Sequence, residues 1–145
     1  MAAEALPALA CASASLRRAA RAVTRLYDGA LRDTGLRGTQ FTLLQALQRT
    51  RSSSQARLGE HLALDPTTLT RTLRPLARAG WIRATPGADR REVRWSLTPA
   101  GRRRLARAWP AWEQAQERLR AQLRPDHWRL VVEDLAVVAA AAGRA

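Results

Sequence analysis

The chain has 145 residues, 46% of them hydrophobic, and a formal net charge of +13 from 25 basic and 12 acidic side chains. That composition suits one folded domain and argues against global disorder. Every basic residue is arginine; there is no lysine. GC-rich coding accounts for arginine in place of lysine but less well for the excess of basic over acidic residues, so a polyanionic partner is expected, nucleic acid first. A single cysteine, Cys11, rules out an intrachain disulfide and suits a reduced, cytoplasmic compartment. The opening MAAEALPALACASAS has Glu4 where an export signal carries basic residues, and Pro7 interrupts its short apolar run, so export is not expected. No apolar run approaches the roughly 20 residues of a membrane span.

Leu16, Ala19, Ala20, Val23, Tyr27 and Ala30 recur at helical spacing, with Arg17, Arg18, Arg21 and Arg25 between them. This reads as one long amphipathic helix from about Pro7 to Thr34, broken by Gly35 and Gly38. A second helix runs from Thr39 to about Gln48 with Phe41, Leu44 and Leu47 on one face. TRSSS at 50–54 is a loop or short strand, and Ser54 can cap a third helix that turns Leu58 and Leu62 inward. Asp65-Pro66 is a sharper start, an N-cap followed by proline in the first helical position. Leu69, Leu73 and Leu76 form the buried stripe of that fourth helix, Pro75 costs it one backbone hydrogen bond, and Gly80 ends it. Residues 81–85, the turn PGADRR at 86–91, and alternating Val93, Trp95 and Leu97 read as strand, turn and strand. Thr98-Pro99 opens a helix to about Leu123, kinked near Pro110. A last helix from Pro125 carries Trp128, Val131, Val132, Leu135 and Val138 on one side.

Two helices followed by a hairpin is the winged helix-turn-helix layout. With Leu69 facing the core, Thr67, Arg71, Arg74 and Arg78 fall on the opposite side of the helix at 65–79, flanked by Thr70. Arginine can grip guanine through two hydrogen bonds, and threonine can meet thymine or phosphate. Any surface helix also turns charge outward, so the face alone leaves the matter even. The hairpin tips the balance: Arg90 and Arg91 at its turn, with Arg83 and Arg94 on its strands, suit a narrow minor groove. The expected DNA-contacting set is Ser54, Thr67, Thr70, Arg71, Arg74, Arg90, Arg91 and Arg94, with Asp89 orienting an arginine. Turn chemistry alone also accounts for Asp89.

LDPTTLTRTLRPLARAGWI at 64–82, Asp89-Arg90-Arg91 and LTPAG at 97–101, in this order and spacing, resemble the core of the MarR family over about residues 39–101. The resemblance implies a mainly α fold with a small β-hairpin wing, one MarR-type domain over 1–145. Residues 39–98 would form the DNA-binding lobe, and 7–34 and 99–143 the helices of an obligate homodimer. It implies a palindromic DNA operator read by the helix at 65–79 and by an Asp-x-Arg wing, here Asp89 and Arg91. It also implies repression relieved by a small aromatic or anionic effector, or by an oxidant.

Cys11, near the start of the first helix, is the candidate redox sensor; a small residue in a dimer interface is the plainer reading. Tyr27, Phe41, Trp109 and Trp112 are candidate walls of an effector pocket, although aromatics at helical spacing more often belong to a core. His61 and His127 stand apart from each other and from Cys11, so neither a metal site nor another cofactor is expected. Ser52, Ser53 and Ser54 lack the setting of a catalytic serine, and no paired-carboxylate or glycine-rich phosphate motif occurs, so an enzyme is not expected. Two other classes stay open: an architectural protein that coats DNA without sequence preference, and a winged helix that binds protein.

Overall fold

The computed structural model describes residues 5–89 and 92–143. Helix α1 (Ala12–Leu31) begins later than the expected Pro7, with Cys11 in the N-cap position. The sequence before Cys11 contains no Ser, Thr, Asp or Asn to take up the free amides of an earlier first turn. A 3-10 turn, Arg32–Thr34, extends the end of α1. Helix α2 (Gly38–Thr50) is held at its start by Asp28, whose Oδ1 accepts from the Gly38 amide at 2.7 Å. It buries Leu43 and Ala46 as well as the expected Phe41, Leu44 and Leu47, because α1, α4, α5 and β3 all pack on it.

Strand β1 is the dipeptide Ser53–Ser54, followed by α3 (Gln55–Leu62) and α4 (Pro66–Arg78). Between these two helices Ala63 takes left-handed angles, φ 49° and ψ 43°, which cost a non-glycine residue about 1–2 kcal/mol. Strands β2 (Ile82–Pro86) and β3 (Val93–Leu97) form the expected hairpin. The sheet has three strands in the order β1-β3-β2, all antiparallel, with Ser53 opposite Trp95 and Ser54 opposite Arg94.

Helix α5 (Pro99–Ala121) runs back beside α1. One apolar core joins Leu31, Phe41, Leu44 and Leu58 to Leu69, Leu73 and Leu76 of α4 and to Leu105 and Ala108 of α5. It fixes the α3–α4 pair and the sheet against the base of α5.

The last segment comprises α6 (Pro125–Arg129), a π-helical turn over Leu130–Asp134, and α7 (Leu135–Ala142). The π turn takes up one more residue than an α turn, so the expected single stripe divides: Trp128, Val131 and Leu135 are half-buried, whereas Val132 and Val138 are exposed. Leu16 on α1 and Leu130 and Val137 at the C-terminal end are exposed as well.

Candidate nucleic-acid interface

Helix α4 starts where its sequence dictates. Asp65 Oδ1 accepts from the amides of Thr67 and Thr68, both at 3.0 Å, and Oδ2 accepts from the Thr68 hydroxyl at 2.5 Å. The Thr68 hydroxyl and amide bonds hold the Asp65 carboxyl below the usual carboxylate range. With Leu69, Leu73 and Leu76 buried, Thr67, Arg71, Arg74 and Arg78 stand exposed on the opposite face. Among the described residues none of these three guanidinium groups is paired with a carboxylate. The face is cationic, open and interleaved with a hydroxyl.

Thr70 sits differently. It is half-buried, donates to the Pro66 carbonyl at 2.8 Å and accepts from Gln55 Nε2 at 3.1 Å. Gln55 Oε1 in turn accepts from the Trp95 indole at 3.3 Å. Ser54 lies beneath the surface, 4% exposed, where its hydroxyl caps α3 by accepting from the Arg57 amide at 3.2 Å. The cap was legible in the sequence. The burial was not, because it comes from pairing with β3 some 40 residues along the chain.

The wing closes through the Gly87 amide on the Glu92 carbonyl at 2.7 Å and the Glu92 amide on the Asp89 carbonyl at 2.9 Å. Arg90 and Arg91, two of the expected contacts, lie outside the described residues, and Asp89 is exposed. Arg94 is turned inward. Its Nε donates to Ser52 Oγ and its Nη2 to the Ser52 carbonyl, both at 3.2 Å, while Nη1 pairs with Glu92 at 3.4 Å. The guanidinium braces the wing against the start of β1. Neither Gln55 nor Ser52 stood out in the sequence. The available signal was Trp95, whose indole needs an acceptor wherever it is part-buried.

The LTPAG segment fastens the wing to α5. Thr98 Oγ1 caps α5 by accepting from the Gly101 amide at 3.0 Å and donates to the Gly80 carbonyl at 2.6 Å. Gly80 itself has φ 70°, the left-handed turn that ends α4. Gly101 is buried against the Trp81 carbonyl, and the Arg104 guanidinium stacks over the Trp81 ring at 4.4 Å.

Between α1, α2 and α5, beside the α3–α4 turn, lies a cavity of about 340 Å³ lined by Tyr27, Trp112, Thr39, Thr42, Leu62 and Leu64 among others. The Tyr27 hydroxyl bonds Gln116 Oε1, and burial pushes the phenol pKa up. Of the four expected wall residues, Tyr27 and Trp112 line this cavity. Phe41 is buried behind it, its ring stacked on Trp112 at 5.5 Å, and Trp109 leans on both from the outside at 5.0 and 5.9 Å. Cys11 is exposed, as are His61 and His127. Among the described residues no group of three or more His, Cys, Asp or Glu side chains could hold a metal ion, and no helix is long and apolar enough to cross a membrane.

A helix pair with an outward cationic second helix, flanked by a three-stranded wing, defines a winged helix-turn-helix protein. The sequence profile of the MarR family matches residues 36–93. The chain is 37% identical to the M. tuberculosis transcriptional regulator MosR, whose crystal structure is in complex with DNA. The two superpose with a TM-score of 0.84 over 92% of this chain and 97% of that one. The chain belongs to the MarR family of transcriptional regulators. Bordetella bronchiseptica BpsR, whose DNA binding is regulated by 6-hydroxynicotinic acid, is 25% identical with a TM-score of 0.79, over 91% of this chain and 96% of that one. An uncharacterized HTH-type transcriptional regulator of Bacillus subtilis (strain 168), YwoH, is 28% identical over 83 residues. That match spans 57% of this chain and 61% of YwoH, under two thirds of the relative's length.

Proposed function

We propose that the chain acts as a homodimeric, sequence-specific regulator of duplex DNA in the cytoplasm, a repressor released by a small ligand. The observation that carries this reading is the outward face of α4, where Thr67, Arg71, Arg74 and Arg78 stand free of carboxylates among the described residues, beside a braced wing. Arg71 and Arg74 read bases in the major groove, and Arg90 and Arg91 enter the minor groove with Asp89 orienting them. Thr70, Ser54 and Arg94 serve mainly to hold the frame. The DNA complex of MosR supports the reading. So do the exposed apolar side chains at both ends, Leu16, Leu130, Val137 and Val138, which a second copy would cover.

The cavity at Tyr27 and Trp112 receives the effector. Among the described residues its lining offers rings, hydroxyls and aliphatic groups but no cationic side chain, which favours an uncharged aromatic with a hydrogen-bonding substituent over a bare anion. The control of BpsR by 6-hydroxynicotinic acid supports regulation by a small aromatic, though not the preference for an uncharged one. Oxidation at Cys11 is the rival release mechanism, and peroxide treatment of wild type and Cys11→Ser separates the two.

Fluorescence anisotropy on a palindromic duplex from the gene's own upstream DNA, and on its scrambled counterpart, tests the reading. If about 6–10 phosphates are contacted, affinity falls roughly 10³–10⁵-fold between about 50 and 200 mM salt. Half-sites should lie about 10–10.5 base pairs apart, centre to centre, or a multiple of that. Equal affinity for both duplexes would make the protein an architectural DNA coat. A flat salt response would remove DNA as the partner.

A further inference from the structure

Three elements, β3, α3 and α4, are joined by one set of hydrogen bonds. Trp95 on β3 donates its indole N–H to Gln55 Oε1 at 3.3 Å, Gln55 at the start of α3 donates from Nε2 to Thr70 Oγ1 at 3.1 Å, and Thr70 on α4 donates to the Pro66 carbonyl at 2.8 Å. The direction of each proton is forced. An indole N–H can only donate, so it must meet the amide oxygen of Gln55, which turns the amide NH₂ toward Thr70. The Thr70 hydroxyl then accepts, and its own proton goes to Pro66. The amide serves both partners while the Thr70 proton stays on Pro66; an ammonium lacks the acceptor that Trp95 needs, and a carboxylate would keep the link only if the Thr70 hydroxyl turned from the Pro66 carbonyl to donate to it.

We propose that Gln55 is a positioning residue that sets the angle between the wing and the recognition helix α4, and through that angle the selectivity of the protein among DNA sequences. The inference rests on the DNA-binding reading above. A major-groove helix and a minor-groove wing engage one duplex together only at one relative setting, and bidentate base contacts depend on placement far more than phosphate contacts do. The second brace of the wing, Arg94 on Ser52, ties β3 to the segment before β1 and leaves α4 aside. Gln55 is therefore the hydrogen-bonded link from β3 to α4 among the described residues. Both ends of its amide are engaged inside the protein, which favours a positioning task over a direct hold on DNA.

The test compares wild type, Gln55→Leu, Trp95→Phe and the double variant on the operator and on scrambled duplex at one salt concentration. Gln55→Leu should weaken operator binding roughly five- to tenfold, as coupled contacts do, and change scrambled binding by less than about twofold. Trp95→Phe, which keeps a ring but removes the donor, should give a similar loss, and the double variant no more than either single one. In ¹⁵N spectra the Trp95 indole resonance of Gln55→Leu should move and its proton exchange faster while the other resonances stay dispersed.

An unchanged operator-to-scrambled ratio in Gln55→Leu would overturn the inference. Losses that add in the double variant would also overturn it and make Gln55 a direct DNA contact. If Gln55→Leu fails to fold, Trp95→Phe decides, and wild-type selectivity in that variant overturns the proposal. Wild-type protein that binds neither duplex would overturn the DNA-binding reading and this one with it, an outcome distinct from selective wild type beside an equally selective variant.

Discussion

A Cβ placed on Gly101 would stand 1.9 Å from the carbonyl oxygen of Trp81. The first turn of α5 rests directly on the backbone that leaves α4, and that oxygen also accepts the Thr98 amide at 3.0 Å. No rotamer change relieves a clash between a Cβ and backbone. Gly101→Ala should therefore destabilise the protein by about 1–3 kcal/mol, as overpacking does, read by urea unfolding. Wild-type stability would mean that the junction is free to separate.

The turn before α4 should respond in the opposite direction. Ala63 is held at φ 49°, and glycine adopts that conformation without the Cβ penalty. Ala63→Gly should raise stability by roughly 0.5–1 kcal/mol, visible as a higher denaturant midpoint at unchanged slope.

Val138 distinguishes a monomer from a dimer. It is 45% exposed in the single chain, so Val138→Asp should be nearly harmless to a monomer. In a dimer that covers α7, the same change buries an unpaired charge. Light scattering at micromolar concentration should give twice 16.0 kDa for wild type, and Val138→Asp should shift the protein toward monomer and weaken DNA binding. An unaffected variant, or a well-folded wild-type monomer, would contradict the proposed assembly.

Asp65 gives a pH signature. Its carboxyl lies lower in the folded protein than in the unfolded chain, chiefly because of the Thr68 hydroxyl and amide bonds. The unfolded chain thus binds a proton first as pH falls. The contribution of Asp65 to stability is complete above the unfolded value, near pH 4, and is lost as pH drops through the folded one. Asp65→Asn keeps an acceptor for the cap but removes the titration. Urea midpoints between about pH 2.5 and 7 should fall less steeply on the acid side for Asp65→Asn than for wild type.

Two arginines should separate reading from bracing. Arg71 is exposed and has no carboxylate partner among the described residues, whereas Arg94 is bound to Ser52 and Glu92. Arg71→Ala should cost about 1–3 kcal/mol on the operator, relax preference at one base pair per half-site, and leave the melting point alone. Arg94→Ala should lower stability by about 1–2 kcal/mol through the lost charge-assisted bonds and weaken binding by loosening the wing. The reverse pattern, Arg94 affecting DNA without stability, would place its guanidinium on phosphate.

The features legible in the sequence are those whose physics is local. Asp65-Pro66 and Thr98-Pro99 start helices because the cap and the proline act within one turn. Leu69, Leu73 and Leu76 announce their burial by spacing alone. Gly101 was visible as part of a motif, but its reason, the Trp81 carbonyl, lies 20 residues back in the chain. Ser54 and Arg94 looked like surface groups because their burial depends on a strand pairing and on Ser52, 42 residues from Arg94. The division of the C-terminal stripe escaped for a related reason, since 3.6-residue spacing assumes a regular helix and Leu130–Asp134 is a π turn.

The seating of Gly101 has a mechanical side. With no side chain between it and Trp81, the lobe has no cushion at the base of α5, and the Arg104 guanidinium stacked on Trp81 stiffens the joint further. About 22 Å up the same helix, at 1.5 Å per residue, Gln116 is tied to Tyr27 beside the cavity. α5 is thus a shaft clamped at both ends, and between the clamps sits Pro110, where one rung of the hydrogen-bond ladder is absent. Any twist imposed at the Tyr27 end would have to pass the missing rung at Pro110 before it reached the joint at Gly101 and Trp81.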